Sequence, residues 1–149
     1  MSATQKETLM LYFAYGMNTN PTEMAHRCPG AVSLGHARLI DHVFRFAQHA
    51  DVQSCDGSYV DGVLWEITDE HLRALDQLEG YPYYYNRMVR SVIQGARTFH
   101  VLVYRMQPGH PESEPTRGYY NLVSEGYRAH GIPTDQLENC LEYHNTAFG

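Results

Sequence analysis

Two short stretches of this chain carry residues whose types and spacing can do chemistry. Tyr15-Gly16-Met17-Asn18 follows a compact apolar run and precedes a strongly signalled helix start. Backbone amides at a glycine-bearing turn of this kind can converge on an anion, reinforced by the positive end of the next helix. Gly16 also removes the Cβ that would hold a ligand away from the backbone. Glu79-Gly80-Tyr81-Pro82 closes a second helical pattern. A carboxylate in a helix's last turn faces the negative end of the dipole, which is unfavourable by about 0.3–1 kcal/mol. Combined with burial, that placement raises a carboxyl pKa toward neutrality and makes a usable base. Taken singly, each stretch is more often an ordinary turn or an exposed glutamate.

Tyrosine is the other chemical bias, with 12 Tyr against 5 Phe and 1 Trp. Buried Tyr joins apolar area to a hydroxyl that needs a partner. Tyr81, Tyr83, Tyr84, Tyr85, Tyr104, Tyr119 and Tyr120 all lie downstream of Glu79 or beside it. A strand from Tyr83 would put Tyr83 and Tyr85 on one face and Tyr84 on the other. The 9 histidines suggest a metal, yet His26 and Cys28 are the only close His/Cys pair. His36, His42 and His49 do not fit a recognised zinc spacing. Cys28, Cys55 and Cys140 each lack a nucleophile signature and read as small buried hydrophobes or free thiols.

The elements that must position these groups follow from pattern. Leu9 to Tyr15 is an apolar run ended by Gly16 and predicts a buried strand. Asn20-Pro21-Thr22-Glu23 offers an N-cap, a proline at the first helical position and an acid at the third, so a helix runs to about Cys28. Ala31 to about Gln48 is extended with a bend near Gly35, and residues 50–58 are polar and predict a loop. Tyr59–Ile67 is a strand. Thr68-Asp69-Glu70 caps a helix whose Leu72, Leu75 and Leu78 form one apolar stripe. Gly80 terminates it and Pro82 prevents continuation. Tyr83–Ile93 and Thr98–Met106 form a hairpin around Gln94-Gly95-Ala96. Gln107 to Thr116, with Pro108, Pro111, Pro115, Glu112 and Glu114, is an exposed loop or lid. Helices close the chain, broken at Gly131-Ile132-Pro133 and restarted by Thr134-Asp135. No repeat or linker divides residues 1–149, so a single α+β domain is expected.

Composition excludes several classes. The 149 residues carry a net charge of −6, 43% hydrophobic and 19% charged residues, a balance suited to a packed domain. An acidic chain with Lys6 as its only lysine has no basic stripe for nucleic acid. No apolar run approaches the roughly 18 residues that span a bilayer. Lys6 followed by Leu9 to Tyr15 is too short for a signal peptide and lacks a cleavage site. The odd cysteine count without paired spacing suggests reduced thiols and a cytoplasmic location. Oligomeric state stays open, a homodimer included.

Placed in order, the motifs resemble the gamma-glutamylcyclotransferase-like family. Its hallmarks are a Tyr-Gly-Ser-Asn loop after the first strand and a later Leu-Asp-x-x-Glu-Gly segment with the catalytic glutamate. Here these read Phe13-Ala14-Tyr15-Gly16-Met17-Asn18 and Leu75-Asp76-Gln77-Leu78-Glu79-Gly80. Tyr85 and Arg87 match a Tyr and an Arg after the Glu-Gly pair. Tyr119, Leu122-Val123, Gly126 and Gly131-Ile132-Pro133 match the C-terminal run. Met17 stands where that family usually has Ser, so a backbone N–H remains at this position and a hydroxyl does not.

The resemblance implies a mixed β-sheet curled into a small barrel flanked by helices. It implies a small-molecule gamma-glutamyl amide as substrate and no metal or organic cofactor. In the implied reaction Glu79 takes a proton from the substrate's α-ammonium, and the freed amine attacks the γ-carbonyl. A five-membered ring closes, Glu79 returns a proton to the leaving amine, and 5-oxoproline is released. Tyr15, Gly16, Met17 and Asn18 would bind substrate through backbone amides, with Tyr85 and Tyr104 lining the pocket. Two alternatives stand beside this. One is a non-catalytic small-molecule-binding module on the same fold. The other is an enzyme whose gamma-glutamyl group is carried on another amine or a carrier protein.

Overall fold

The computed structural model describes residues 8–148, and Lys6 lies outside them. The elements run β1 (Leu9–Ala14), a 3-10 turn (Met17–Thr19), α1 (Pro21–Arg27), β2 (Val32–Ala47), β3 (His49–Thr68), α2 (Asp69–Leu78), β4 (Tyr85–Gln94), β5 (Arg97–Met106), α3 (Arg117–Ala129) and α4 (Asp135–Phe148). The strands close a barrel in the order β1-β3-β2-β4-β5. Four joints are antiparallel, and the fifth is a parallel contact of Tyr12 on β1 with Leu102 on β5. The architecture is thus a single α+β domain, a mixed barrel flanked by helices. Phe13, Leu39, Phe46, Val52, Val60 and Leu64 are all buried in its core. Each such side chain contributes about 1.5–3 kcal/mol over the exposed state.

Helix ends lie where residue chemistry puts them. The Asn20 side chain accepts from the amides of Thr22 and Glu23, capping α1 ahead of Pro21. Thr68 caps α2 in a reciprocal box in which its amide donates to Nδ1 of His71. Gly80 takes φ +64°, where a side chain would be strained, and so turns the chain out of α2. Gly126 on α3 meets the 17–20 turn. A Cβ there would overlap Thr19 Oγ1 and stand 2.6 Å from the Asn20 amide, so only glycine lets α3 lie this close.

Three expectations are corrected, and the loop expected over Gln107 to Thr116 is present. Residues 50–58 are not a loop, because β3 starts at His49 and pairs with β2 from Ala47↔His49 to His42↔Ser54. The segment looks polar because Asp51, though buried, has both carboxylate oxygens satisfied by Arg45 Nε at 2.8 Å and the Met106 amide at 2.9 Å. Only 55–58 bulge away from β2, with the Gly57 amide on Asp41. Leu78 does not share the buried stripe of Leu75, since it is 44% exposed at a cavity mouth. The strand expected from Tyr83 begins at Tyr85, because the amides of Tyr83 and Tyr84 both fold back onto the Gly80 carbonyl. The segment from Gln107 to Thr116 is exposed but fastened. Gln107 bonds to the carbonyls of Tyr84 and Pro82, Arg45 donates to His110 O, and Ser113 pairs with Phe46 and Gln48. A lid would need those contacts released.

Candidate active site

One cavity of about 210 Å³ gathers all seven residues singled out above: Tyr15, Gly16, Met17, Asn18, Glu79, Tyr85 and Tyr104. Barrel closure makes this convergence. β1 delivers the turn at its C-terminal end, α2 ends beside it at Glu79, and β4 and β5 bring Tyr85 and Tyr104. Pattern reading missed Arg27, His49 and Ala50 as further lining residues. Arg27 sits in the last turn of α1 and His49 at the β2–β3 hairpin, and neither carries a local motif.

Glu79 is the C-cap of α2. It is partly buried in the cavity wall, and its pKa is raised to about 7, chiefly by burial. The Arg27 guanidinium acts in the opposite direction. Burial, expected from sequence alongside the helix end, is therefore the largest cause. Among the described residues no donor hydrogen-bonds the Glu79 carboxyl, so its lone pairs remain open to a ligand. The surrounding phenols respond to it. Tyr12, Tyr15, Tyr84, Tyr85 and Tyr119 have raised pKa values, first through burial and further through the charge of Glu79.

The turn is held from beneath. Arg27 Nη1 donates to Asn18 Oδ1 at 2.6 Å, Asn18 Nδ2 donates to the Tyr12 hydroxyl, and Trp65 Nε1 donates to Asn18 O. Asn18 thus shapes the turn with its side chain. The amides of Met17 and Asn18 open the 3-10 turn, where no acceptor exists within the turn itself. The missing Cβ of Gly16 faces the Ala50 methyl at 2.9 Å and the Tyr119 hydroxyl at 3.2 Å. Glycine is thus required by a protein contact in the cavity wall, whatever binds there.

Tyrosine hydroxyls mostly serve the walls. Tyr15 donates to Tyr104 O at 2.7 Å, Tyr85 to Ala50 O at 2.6 Å, and Tyr127 to Tyr15 O at 2.6 Å. Tyr104 donates to Asp76 Oδ1 at 2.6 Å, and Arg87 ion-pairs with that same oxygen at 3.0 Å. Arg87 is consequently a strut between β4 and α2 and does not border the cavity. Tyr15, Tyr85 and Tyr104 line the cavity and commit their hydroxyl protons to protein acceptors.

Among the described residues no three His, Cys, Asp or Glu side chains are grouped to hold a metal ion. The three cysteines are free thiols, and burial pushes those of Cys28 and Cys140 up to about 11, which suppresses the thiolate. Among the described residues no helix is long and apolar enough to cross a membrane.

Comparison with known proteins is consistent with this geometry. The family profile for gamma-glutamyl cyclotransferase, AIG2-like proteins matches residues 12–128. No curated protein matches significantly. Among solved structures, one of a gamma-glutamyl cyclotransferase is 25% identical, with a TM-score of 0.80 over 89% of this chain and 86% of that one. The uncharacterized protein loc79017 from Homo sapiens is 26% identical, with a TM-score of 0.81 over 90% and 87%. YkqA from Bacillus subtilis, 22% identical, shares the fold at a TM-score of 0.78, covering 93% of this chain and 55% of its own.

Proposed function

This chain belongs to the gamma-glutamyl cyclotransferase, AIG2-like family, and from that premise we propose that it cyclises gamma-glutamyl amides, releasing 5-oxoproline and a free amine. The observation that carries the reading is the state of Glu79: partly buried, unbonded and poised at about 7 on the cavity it shares with the Tyr15–Asn18 turn.

Glu79 takes one proton from the substrate's α-ammonium. The freed amine attacks the γ-carbonyl of the same molecule, and a five-membered ring forms. A positioned acid/base group typically contributes 10²–10⁴-fold. Because nucleophile and electrophile are already one molecule, holding it curled adds only the frozen freedom of its few rotatable bonds, on the order of several kcal/mol. Arg27 pairs with the substrate α-carboxylate, a match of a fixed guanidinium to a planar anion. The amides of Met17 and Asn18 receive the oxygen that becomes negative as the ring closes. The rings of Tyr15, Tyr85 and Tyr104 exclude water around the curled chain. Met17 offers its N–H and no hydroxyl, so the carbonyl oxygen is held by backbone alone at that position.

The test is mass-spectrometric detection of 5-oxoproline from a panel of gamma-glutamyl amides. Turnover of at least one member supports the reading. Ligand-induced thermal stabilisation without any 5-oxoproline contradicts it and favours a binding module.

A further inference from the structure

The reaction proposed above moves two protons off the α-nitrogen, because an ammonium with three N–H bonds becomes a lactam with one. One carboxyl carries one proton at a time. We propose that His49 is the second proton carrier of this cavity, accepting at Nε2 the proton that Glu79 cannot hold and passing it to the departing amine. This inference rests on the cyclotransferase reading and deepens it.

The geometry prepares His49 for that task. Its Nδ1 lies 2.8 Å from the Tyr84 hydroxyl, and its ring packs edge-on against Tyr84 at 6.0 Å and Tyr119 at 5.1 Å. Tyr84 is itself held by the His110 ring at 5.2 Å. The imidazole is therefore fixed in orientation, and Nε2 is the ring nitrogen with no hydrogen bond among the described residues. In the tautomer this proposal requires, Nδ1–H donates to the Tyr84 oxygen, the Nε2 lone pair is free to take a proton, and the imidazolium keeps the same bond to Tyr84. Tyr84 is thus a positioning residue that suits both protonation states.

No other group in the cavity serves. Arg27 is permanently charged. The phenols of Tyr12, Tyr15, Tyr84, Tyr85, Tyr104 and Tyr119 are all raised above their ordinary range. Glu79 and the His49 imidazole are left, and burial lowers the His49 pKa, which keeps the resting imidazole neutral. The charged and titratable groups around His49 are Tyr84, Tyr119 and His110 against its ring and its neighbours, Glu79 and Arg27 in the same cavity, and Asp51 on its own strand. Asp51 is paired with Arg45, and its charge still reaches Tyr84.

The balance closes without a further reactant. The N–C bond of the ring forms as the first proton goes to Glu79. Glu79 returns that proton to the leaving nitrogen as its C–N bond breaks. The second proton passes from the ring nitrogen to His49, then to the released amine, which departs as an ammonium. Both residues are reset.

The test is the pH profile of kcat/KM for wild type and His49→Gln. Wild type needs Glu79 ionised and His49 neutral, so its acid limb is expected to fall as the first power of the proton concentration below the Glu79 pKa and to steepen to the square below that of His49. In His49→Gln it falls as the first power, with kcat lowered about 100-fold and KM little changed. Added imidazole is expected to restore part of the activity of His49→Ala, a rescue that a purely structural role does not give. A wild type that turns over while His49→Gln keeps its kcat overturns this inference alone. A wild type with no turnover on any gamma-glutamyl amide overturns the parent reading and this inference with it.

Discussion

Arg27 and Glu79 border the same cavity from different helix ends, and they act on each other in opposition to burial. Desolvation raises the Glu79 pKa, and the Arg27 guanidinium pulls it back to about 7. Removing the cation leaves only the raising influence. Arg27→Gln is therefore expected to move the acid limb of the activity profile to higher pH. It is also expected to raise KM at least about tenfold through loss of the carboxylate partner. Steady-state kinetics from pH 5 to 9 measure both effects. An acid limb that stays in place would show that Arg27 is electrostatically remote from the base.

Glu79 also couples activity to stability. Its folded pKa of about 7 stands above its ordinary value of 4.5, so the folded chain binds more protons than the unfolded chain between them. This group's contribution consequently falls as pH rises from about 4.5 to 7. Above that range the ionised carboxyl costs up to about 3 kcal/mol. Glu79→Gln is expected to stabilise the protein at pH 8 and to have little effect on stability at pH 4. Urea denaturation at the two pH values checks the sign.

Tyr104 separates two roles for a pocket tyrosine. Its hydroxyl donates to Asp76, which also pairs with Arg87, so Tyr104→Phe is expected to cost about 1 kcal/mol of stability. Its turnover should remain near wild type, because the ring stays in place. A loss of kcat above about 100-fold would assign that hydroxyl to the substrate instead.

Gly126 tests how the turn is supported. A methyl at this position overlaps Thr19 and crowds the Asn20 amide. Gly126→Ala is expected to destabilise by about 1–3 kcal/mol and to raise KM by displacing the Tyr15–Asn18 turn. Denaturation midpoints and kinetics on the same preparation measure the two together.

Much of this was legible from residue order. The apolar run ending at Gly16, the Asn20-Pro21 helix start, the Thr68 cap and the break at Gly131-Ile132-Pro133 are local signals, and local physics decides them. Residues 50–58 were not legible as strand, because Asp51 is compensated by Arg45 and Met106, partners 6 and 55 positions away. Arg27 and His49 escaped notice for a related reason. Their neighbours in the cavity are supplied by barrel closure, and no periodicity reports it. Arg27 pairs with Glu23 one turn earlier and also reaches back to Asn18, a contact that only the folded turn creates. Glu79 was legible from its place at the helix end and its expected burial, of which burial is the largest cause of the raised pKa.

The central claim is that Glu79 moves the proton that starts ring closure. It is tested most directly by following 5-oxoproline formation by wild type and Glu79→Gln on the same gamma-glutamyl amide, with folding of both confirmed. The expected result is turnover by wild type, with an acid limb near pH 7, and no detectable product from the folded variant. Product release by Glu79→Gln at a rate near that of wild type would contradict the account.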